Sequence, residues 1–347
     1  MDLSSLCAAV REAPTIVPVG ARTHWDVGGI PAHGVEVRAP VGVVRHDPAD
    51  LTVTVAAGTS VAELGAVLAE NGQECPLDPR DGAATVGGVL SVGLSGHRRL
   101  RYGPVRDRVL EVRVVTADGR VVKGGGPTVK NVSGYDLPRL IVGSLGTLGV
   151  LARVTLRVQP LPASSVWTTT DAPPEDVRRA LFRPSSLLWD GRRCAVLLEG
   201  HPADVEAELR AARLAPLDAA PDWPDGAHRG RVSIAPARVR SLAAELDGCG
   251  VRWVGELGVG TVHIAADEVA ALAAARDVAA GHGGWLLREA GAPELDPFGV
   301  PAANLALTRR VKAAFDPGDR CNPGRIPGLG AEPRPRQEVD VEGSRAG

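Results

Sequence analysis

The stretch KNVSGYDLPRLIVGSLGTLGV, residues 130–150, limits the possible fold more than any other part of the chain. Its glycines, Gly134, Gly143, Gly146 and Gly149, fall at spacings of nine, three and three. In a helix each would cost about 1 kcal/mol relative to alanine. In a strand they would leave nothing to pack and would invite bulges. What remains is a loop whose bare backbone runs close to something else. Two further glycine-rich loops precede it, VGARTHWDVGG (19–29) and PLDPRDGAATVGGVLSVGLSG (76–96). Glycine lets backbone amides approach a ligand closely and tolerates positive φ. Several such loops converging can cradle a pyrophosphate through N–H groups without a large basic cluster. Any one of them alone also reads as an ordinary tight turn.

Several familiar phosphate sites are excluded. There is no GxxxxGK[ST], and no GxGxxG that follows an early strand and opens a helix. A formal net charge of −2 gives no reason to expect nucleic acid or an acidic membrane surface as partner. The cysteines, Cys7, Cys75, Cys194, Cys249 and Cys321, are odd in number and form no CxxC pair. A disulfide framework, a zinc site and an iron–sulfur cluster are therefore not expected. The start MDLSSLCAAVREAP lacks a basic segment followed by an apolar core. No apolar run approaches the ~20 residues that span a bilayer. The expectation is a cytoplasmic chain without direct membrane insertion.

The local patterns predict an α+β or α/β layer. Ser4 to Glu12 is helical, 16–20 a short strand, and LTVTVAAGT (51–59) alternates like a half-buried strand. SVAELGAVLAENG (60–72) has Ser60 as N-cap and Glu63 at the capping-box position. VLEVRVVTADGRVVKGG (109–125) reads as a hairpin about Ala117-Asp118-Gly119. GVLARVTLRVQPLP (149–162) is a further strand closed by prolines. Composition shifts near 160, which suggests two domains, 1–160 and 161–326. In the second, helices at 174–182, 203–213, 237–247 and 267–280 alternate with strands at 194–199, 251–256, 261–265 and 284–288. That pattern suits a small antiparallel sheet with helices on one face. The polar, aperiodic 327–347 reads as a disordered tail.

The block ATVGGVLSVGLSGHRRLRYGPVRDRVLEVRVVTADGRVV (84–122), with KNVSGYDLPRLIVGSLGTLGVL (130–151), resembles the PCMH-type FAD-binding domain. This is the domain of the vanillyl-alcohol-oxidase and D-lactate/glycolate dehydrogenase flavoproteins, and the resemblance is strongest to the E subunit of bacterial glycolate oxidase. FDPGDRCNPGRI (315–326) resembles the family's C-terminal signature. The resemblance implies a two-subdomain FAD-binding fold, a smaller α+β cap domain, and a C-terminal segment that returns to the FAD domain.

It also implies roles by motif. Val19, Gly20, Ala21, Arg22 and Thr23 would form the first pyrophosphate loop. Pro76, Gly82, Ala84, Thr85, Val86, Gly87 and Gly88 would form the second, continued by Ser91 and Gly93. Lys130, Asn131, Ser133, Gly134, Tyr135 and Asp136 would approach the flavin ring or its supporting loop. Gly143, Gly146, Gly149 and Val150 match the segment that passes the adenosine half. A cation such as Lys130 near the ring would favour the reduced anion, but a solvated loop Lys or a structural pair with Asp136 is the alternative reading. Tyr135 reads equally as a flavin contact or as a hydrogen-bonded core residue.

FAD is expected to be non-covalent, because GARTHW, which contains His24, lacks the RxGGH glycine pair of covalently flavinylated relatives. Relatives that oxidise 2-hydroxy acids carry HxGxGxxH in the substrate domain. Here the same place reads Glu256-Leu257-Gly258-Val259-Gly260-Thr261-Val262-His263, with a glutamate in the first position. Glu256 and His263 are candidate catalytic residues with no metal expected, since nothing in the sequence completes a ligand set. His282, in a GHGG loop, has no partner visible in the sequence. The resemblance implies oxidation of glycolate or a similar 2-hydroxy acid, with a sister flavoprotein subunit and an iron–sulfur subunit as partners. Association with the inner face of the membrane would then run through those partners. A self-sufficient FAD oxidase or dehydrogenase, and a non-catalytic assembly subunit, are the alternatives.

Overall fold

A computed structural model describes residues 2–126, 136–300 and 304–330. The structure is α+β and is built on two antiparallel sheets. The first has five strands in the order Val43–Asp47, Thr52–Ala56, Val150–Arg157, Val109–Val115, Val121–Gly125. Its centre is the strand Val150–Arg157, which pairs Val154 with Val55 on one side and with Val112 on the other. Those three valines are almost completely buried with Leu64, Leu68, Val86 and Leu90 from the helices Val61–Ala69 and Val86–Val92. Each such side chain contributes about 1.5–3 kcal/mol by leaving water.

The local expectations explain much of this layer. Ser60 Oγ accepts from the Glu63 amide at 3.1 Å and Glu63 Oε2 accepts from the Ser60 amide at 3.0 Å, closing the expected capping box. The hairpin turns at Ala117-Asp118-Gly119 and pairs Val115 with Val121. Gly119 takes a φ of 77°, which a side chain would disfavour.

The second sheet has eight strands. Their order is Ala215–Pro216, Ser164–Thr170, Cys194–Gly200, Ser186–Trp189, Arg252–Glu256, Thr261–Ala266, His228–Ser233 and Trp285–Ala290. It is larger than the alternation in the sequence predicts, because Ser164–Thr170, Ser186–Trp189, Ala215–Pro216 and His228–Ser233 join the four expected strands. The helices Val239–Leu246 and Val269–Gly281 bury Leu242, Leu246, Leu272 and Ala275 in its core.

The C-terminal segment returns to the first sheet's side of the molecule. Ile16 and Cys321 form a parallel bridge, with Ile16 N donating to Arg320 O and Asn322 N donating to Ile16 O, both at 2.7 Å. The helix Leu305–Phe315 directs Lys312 into the interior. Lys312 Nζ donates to Thr147 O at 2.8 Å and Cys321 O at 2.9 Å, and pairs with Asp316 at 2.6 Å. Residues 327–330, expected in the tail, pack instead: Leu329 is buried, and Arg309 donates to Gly328 O at 2.9 Å. The remainder of the expected tail lies outside the described residues.

Candidate functional site

A cleft of about 820 Å³ opens between the first two glycine-rich loops, the first sheet and the C-terminal segment. Val19, Gly20, Ala21, Arg22 and Thr23 line it from the first loop, and Thr85, Gly87, Gly88 and Ser91 from the second. Gly146, Gly149 and Val150 close one wall.

The bare backbones are needed for these walls to meet. A Cβ on Gly20 would run into the Thr85 hydroxyl, and one on Gly87 would lie 2.9 Å from both the Ala57 Cβ and its carbonyl oxygen. At Gly149, φ is 140° and a Cβ would meet Val115 O at 2.7 Å. Arg22 takes a φ of 60°, a region few residues with side chains adopt. Its guanidinium pairs with Glu36 and lies 4.3 Å from the Trp25 ring centre.

Two lining residues belong to the NPGRI motif, which the sequence marks as a family signature without assigning it to the site. Asn322 donates through Nδ2 to Leu145 O at 2.6 Å, while its buried Oδ1 has no partner. Arg325 Nη1 donates to the carbonyls of Trp25 at 2.7 Å and Gly29 at 3.1 Å, and lies on the Trp25 ring at 4.5 Å. Trp25 therefore contacts two guanidinium groups. His24 also lines the cleft. Burial pushes its pKa down, and its Nδ1 lies 3.0 Å from Thr23 Oγ1.

Other expected cofactor contacts are not among the lining residues. Ala84 and Val86 are fully buried in the core of the first sheet, with Val53 and Leu64. Pro76 is buried, and Gly82 is exposed, accepting through its carbonyl from Ala62 N at 3.0 Å. Gly93 ends the helix Val86–Val92 in a left-handed conformation against the Gly143 backbone. Those two glycines serve helix packing. Asp136 is exposed and caps the helix Leu137–Ile141 through a 3.1 Å bond from Arg139 N. Lys130, Asn131, Ser133, Gly134 and Tyr135 lie outside the described residues.

A second pocket, of about 960 Å³, shares Thr23 and His24 with the cleft. Arg80, Asp78 and Asp81 line it from the second glycine-rich loop. Arg229, Arg231, His263 and Glu289 line it from the second sheet. Arg231 is nearly buried. Its Nε has no hydrogen-bond partner, and Glu289 stands 3.8 Å away.

Behind His263 is a buried polar cluster. Glu256 ends one strand and His263 lies on the next, where Thr261 opposes Glu256. His263 Nε2 sits 2.7 Å from Glu256 Oε1. Desolvation pushes the Glu256 carboxyl up to about 8, against the lowering pull of Arg231 and Arg99. Desolvation also pushes His263 down to about 3. His97 joins the pair from the loop that follows the second glycine-rich stretch. Its Nδ1 lies 4.0 Å from Glu256 Oε1, its ring stacks on Trp223 at 3.7 Å, and neither ring nitrogen has a hydrogen-bond partner among the described residues. No pattern in the sequence marks His97, Trp223, Arg80 and Arg231 as neighbours, because they converge from separate elements. Even with His97, no group of three metal-ligating side chains occurs among the described residues. His282 has partners after all, Glu245 at 2.8 Å and Ser241 at 3.4 Å on the preceding helix.

Comparison with known proteins bears on the cleft directly. Residues 2–125 match the family model described as FAD binding domain. Over 167 residues the chain is 42% identical to glycolate oxidase subunit GlcE of Escherichia coli (strain K12), covering 47% of this chain and 48% of that protein. Over 161 residues it is 44% identical to the mitochondrial D-lactate dehydrogenase [cytochrome] of Arabidopsis thaliana, covering 46% and 28%. These matches span half or less of the length of either relative. Among solved structures, an alkyldihydroxyacetonephosphate synthase superposes with a TM-score of 0.64 at 16% identity. That alignment covers 89% of this chain and 71% of the synthase, and at such identity it speaks for the fold alone. No helix among the described residues is long and apolar enough to cross a membrane. The glycine-walled cleft lies largely within the matched FAD binding domain, residues 2–125, and the cofactor is FAD.

Proposed function

We propose that the chain is a flavoprotein oxidoreductase that holds FAD non-covalently in the glycine-walled cleft and takes part in oxidising a 2-hydroxy acid in the adjoining pocket. The observation that carries this reading is the junction of the two cavities at Thr23 and His24. Gly20, Ala21, Arg22 and Thr23 would hold the pyrophosphate through backbone amides, Gly87 and Gly149 would let the walls close around the cofactor, and the unpartnered Asn322 Oδ1 is left to accept from the bound group. When bound, FAD supplies the two-electron acceptor for hydride leaving the substrate α-carbon. Arg231, buried with an unused Nε, suits the carboxylate, and Arg80 and Arg229 add positive charge on the same wall. His263 faces the pocket as the group that exchanges a proton with the substrate hydroxyl. Lys130 and Tyr135 remain candidates for the flavin side.

The similarity to a glycolate oxidase subunit supports a place in a heteromeric enzyme, beside a sister flavoprotein and an iron–sulfur subunit that carries electrons onward. Glycolate, or D-lactate as in the dehydrogenase relatives, is the substrate to try first. Mixing the FAD-loaded chain anaerobically with glycolate or D-lactate tests the assignment. Bleaching of the flavin absorption supports chemistry on this chain. Bleaching only after the sister subunit is added supports the auxiliary role, and no bleaching in either case overturns the reading.

A further inference from the structure

The hydrogen bond between Glu256 and His263 has two proton arrangements, and they present different chemistry to the second pocket. His263 Nε2 is committed to Glu256 Oε1 at 2.7 Å. Among the described residues, Nδ1 makes no hydrogen bond, and the residue lines the pocket. In a neutral imidazole one nitrogen donates and the other accepts, so whatever Nε2 does fixes the role of Nδ1. We propose that Glu256 decides whether His263 Nδ1 meets the pocket as a hydrogen-bond donor or as an acceptor.

When Glu256 carries its proton, the carboxyl O–H donates to Nε2 and the ring proton is on Nδ1. The pocket then meets a donor. When that proton leaves to solvent, the ring proton moves to Nε2 and donates to the carboxylate. Nδ1 then presents a lone pair that can take a proton from a substrate hydroxyl, giving an imidazolium against a carboxylate. Only this second form is a base. The link to a 2-hydroxy acid rests on the function proposed above, whereas the exchange of tautomers does not.

The surroundings decide between the two forms. Arg231 lies opposite His263 on the neighbouring strand, Arg99 approaches from its short helix, and Arg80 from the second glycine-rich loop. Glu289 faces them from the edge strand, with Arg229 lining the same pocket. His97 adds a second imidazole whose pKa desolvation also pushes down, to about 3. Burial of Glu256 outweighs the arginines and holds its proton up to about 8, while His263 stays neutral down to about 3. Near neutral pH the donor form therefore dominates, and the base form emerges as Glu256 ionises.

Nitrogen NMR on the full chain, labelled with ¹⁵N-histidine and loaded with FAD, reads this without any substrate. The expected result is one histidine that carries its proton on Nδ1 at low pH and exchanges to Nε2 with a midpoint about 8. In Glu256→Gln that histidine keeps one tautomer at every pH, while His97→Gln leaves the exchange in place. Should Glu256→Gln fail to fold, His263→Gln identifies the resonance by its loss. A single tautomer across the range in the parent chain, or an imidazolium at neutral pH, overturns the proposal. Flavin bleaching tests the function separately, so the two can fail independently.

Discussion

The ammonium of Lys312 and the carboxylate of Asp316 lie 2.6 Å apart, one turn from each other on the C-terminal helix and its cap, with side chains only 5% and 0% exposed. The pair fastens that helix to the wall of the cofactor cleft, because Lys312 also donates to Thr147 O, next to the lining residue Gly146. Removing one partner of a buried pair leaves an uncompensated charge and costs about 3–5 kcal/mol. Lys312→Met is therefore expected to lower stability by about that amount and to weaken FAD binding at least tenfold, read by urea denaturation and fluorescence titration. Unchanged FAD affinity in a folded Lys312→Met chain would separate the C-terminal segment from the cofactor site.

Glycine substitutions should have opposite signs at two positions. Gly87→Ala puts a Cβ 2.9 Å from the Ala57 backbone, so it should destabilise the chain and reduce FAD uptake. Gly65 lies inside the helix Val61–Ala69, where an added methyl would have no neighbour within 4 Å. Gly65→Ala should therefore stabilise by about 0.5–1 kcal/mol. Thermal melts with and without FAD distinguish the two.

Much of the cleft is legible in the sequence, and the reason is physical. A backbone that must pass within contact distance of another backbone leaves a glycine, and Gly20, Gly87 and Gly149 are such positions. At Gly93 and Gly143 the bare backbone meets at a helix end. The motif assigns Ala84 and Val86 to the cofactor, yet their side chains belong to the core. The second pocket is barely legible. Arg80, His97, Trp223 and Arg231 come from separate segments and meet only when the second sheet packs on the glycine-rich loop.

Stability should also depend on Glu256 through pH. Its folded pKa is raised from 4.5 to about 8, so between those values the folded chain holds a proton that the unfolded chain has released. The stabilisation from this group is full below 4.5 and is lost as pH climbs toward 8. His263 and His97 act oppositely, losing their contribution as pH falls from 6.5 toward about 3. Urea midpoints at about pH 5 and pH 8 should show Glu256→Gln losing less stability than the parent between them. Equal losses would contradict the burial of an ionisable carboxyl there.

Arg231 should matter to substrate and not to flavin. Arg231→Met is expected to retain its FAD while binding oxalate, a non-oxidisable carboxylate, at least tenfold more weakly, since a charged hydrogen bond contributes about 1.5–3 kcal/mol. Perturbation of the flavin spectrum by oxalate measures this. Equal oxalate affinity in both proteins would remove Arg231 from the site.

Every functional role proposed here depends on a cleft that holds FAD without a covalent bond. Purified chain is incubated with FAD and passed through a desalting column, and its absorption spectrum is recorded before and after denaturation. The expected outcome is a yellow protein that carries flavin in stoichiometric amount before denaturation and a colourless polypeptide afterwards. A chain that takes up no FAD, or one that stays yellow when unfolded, would contradict it.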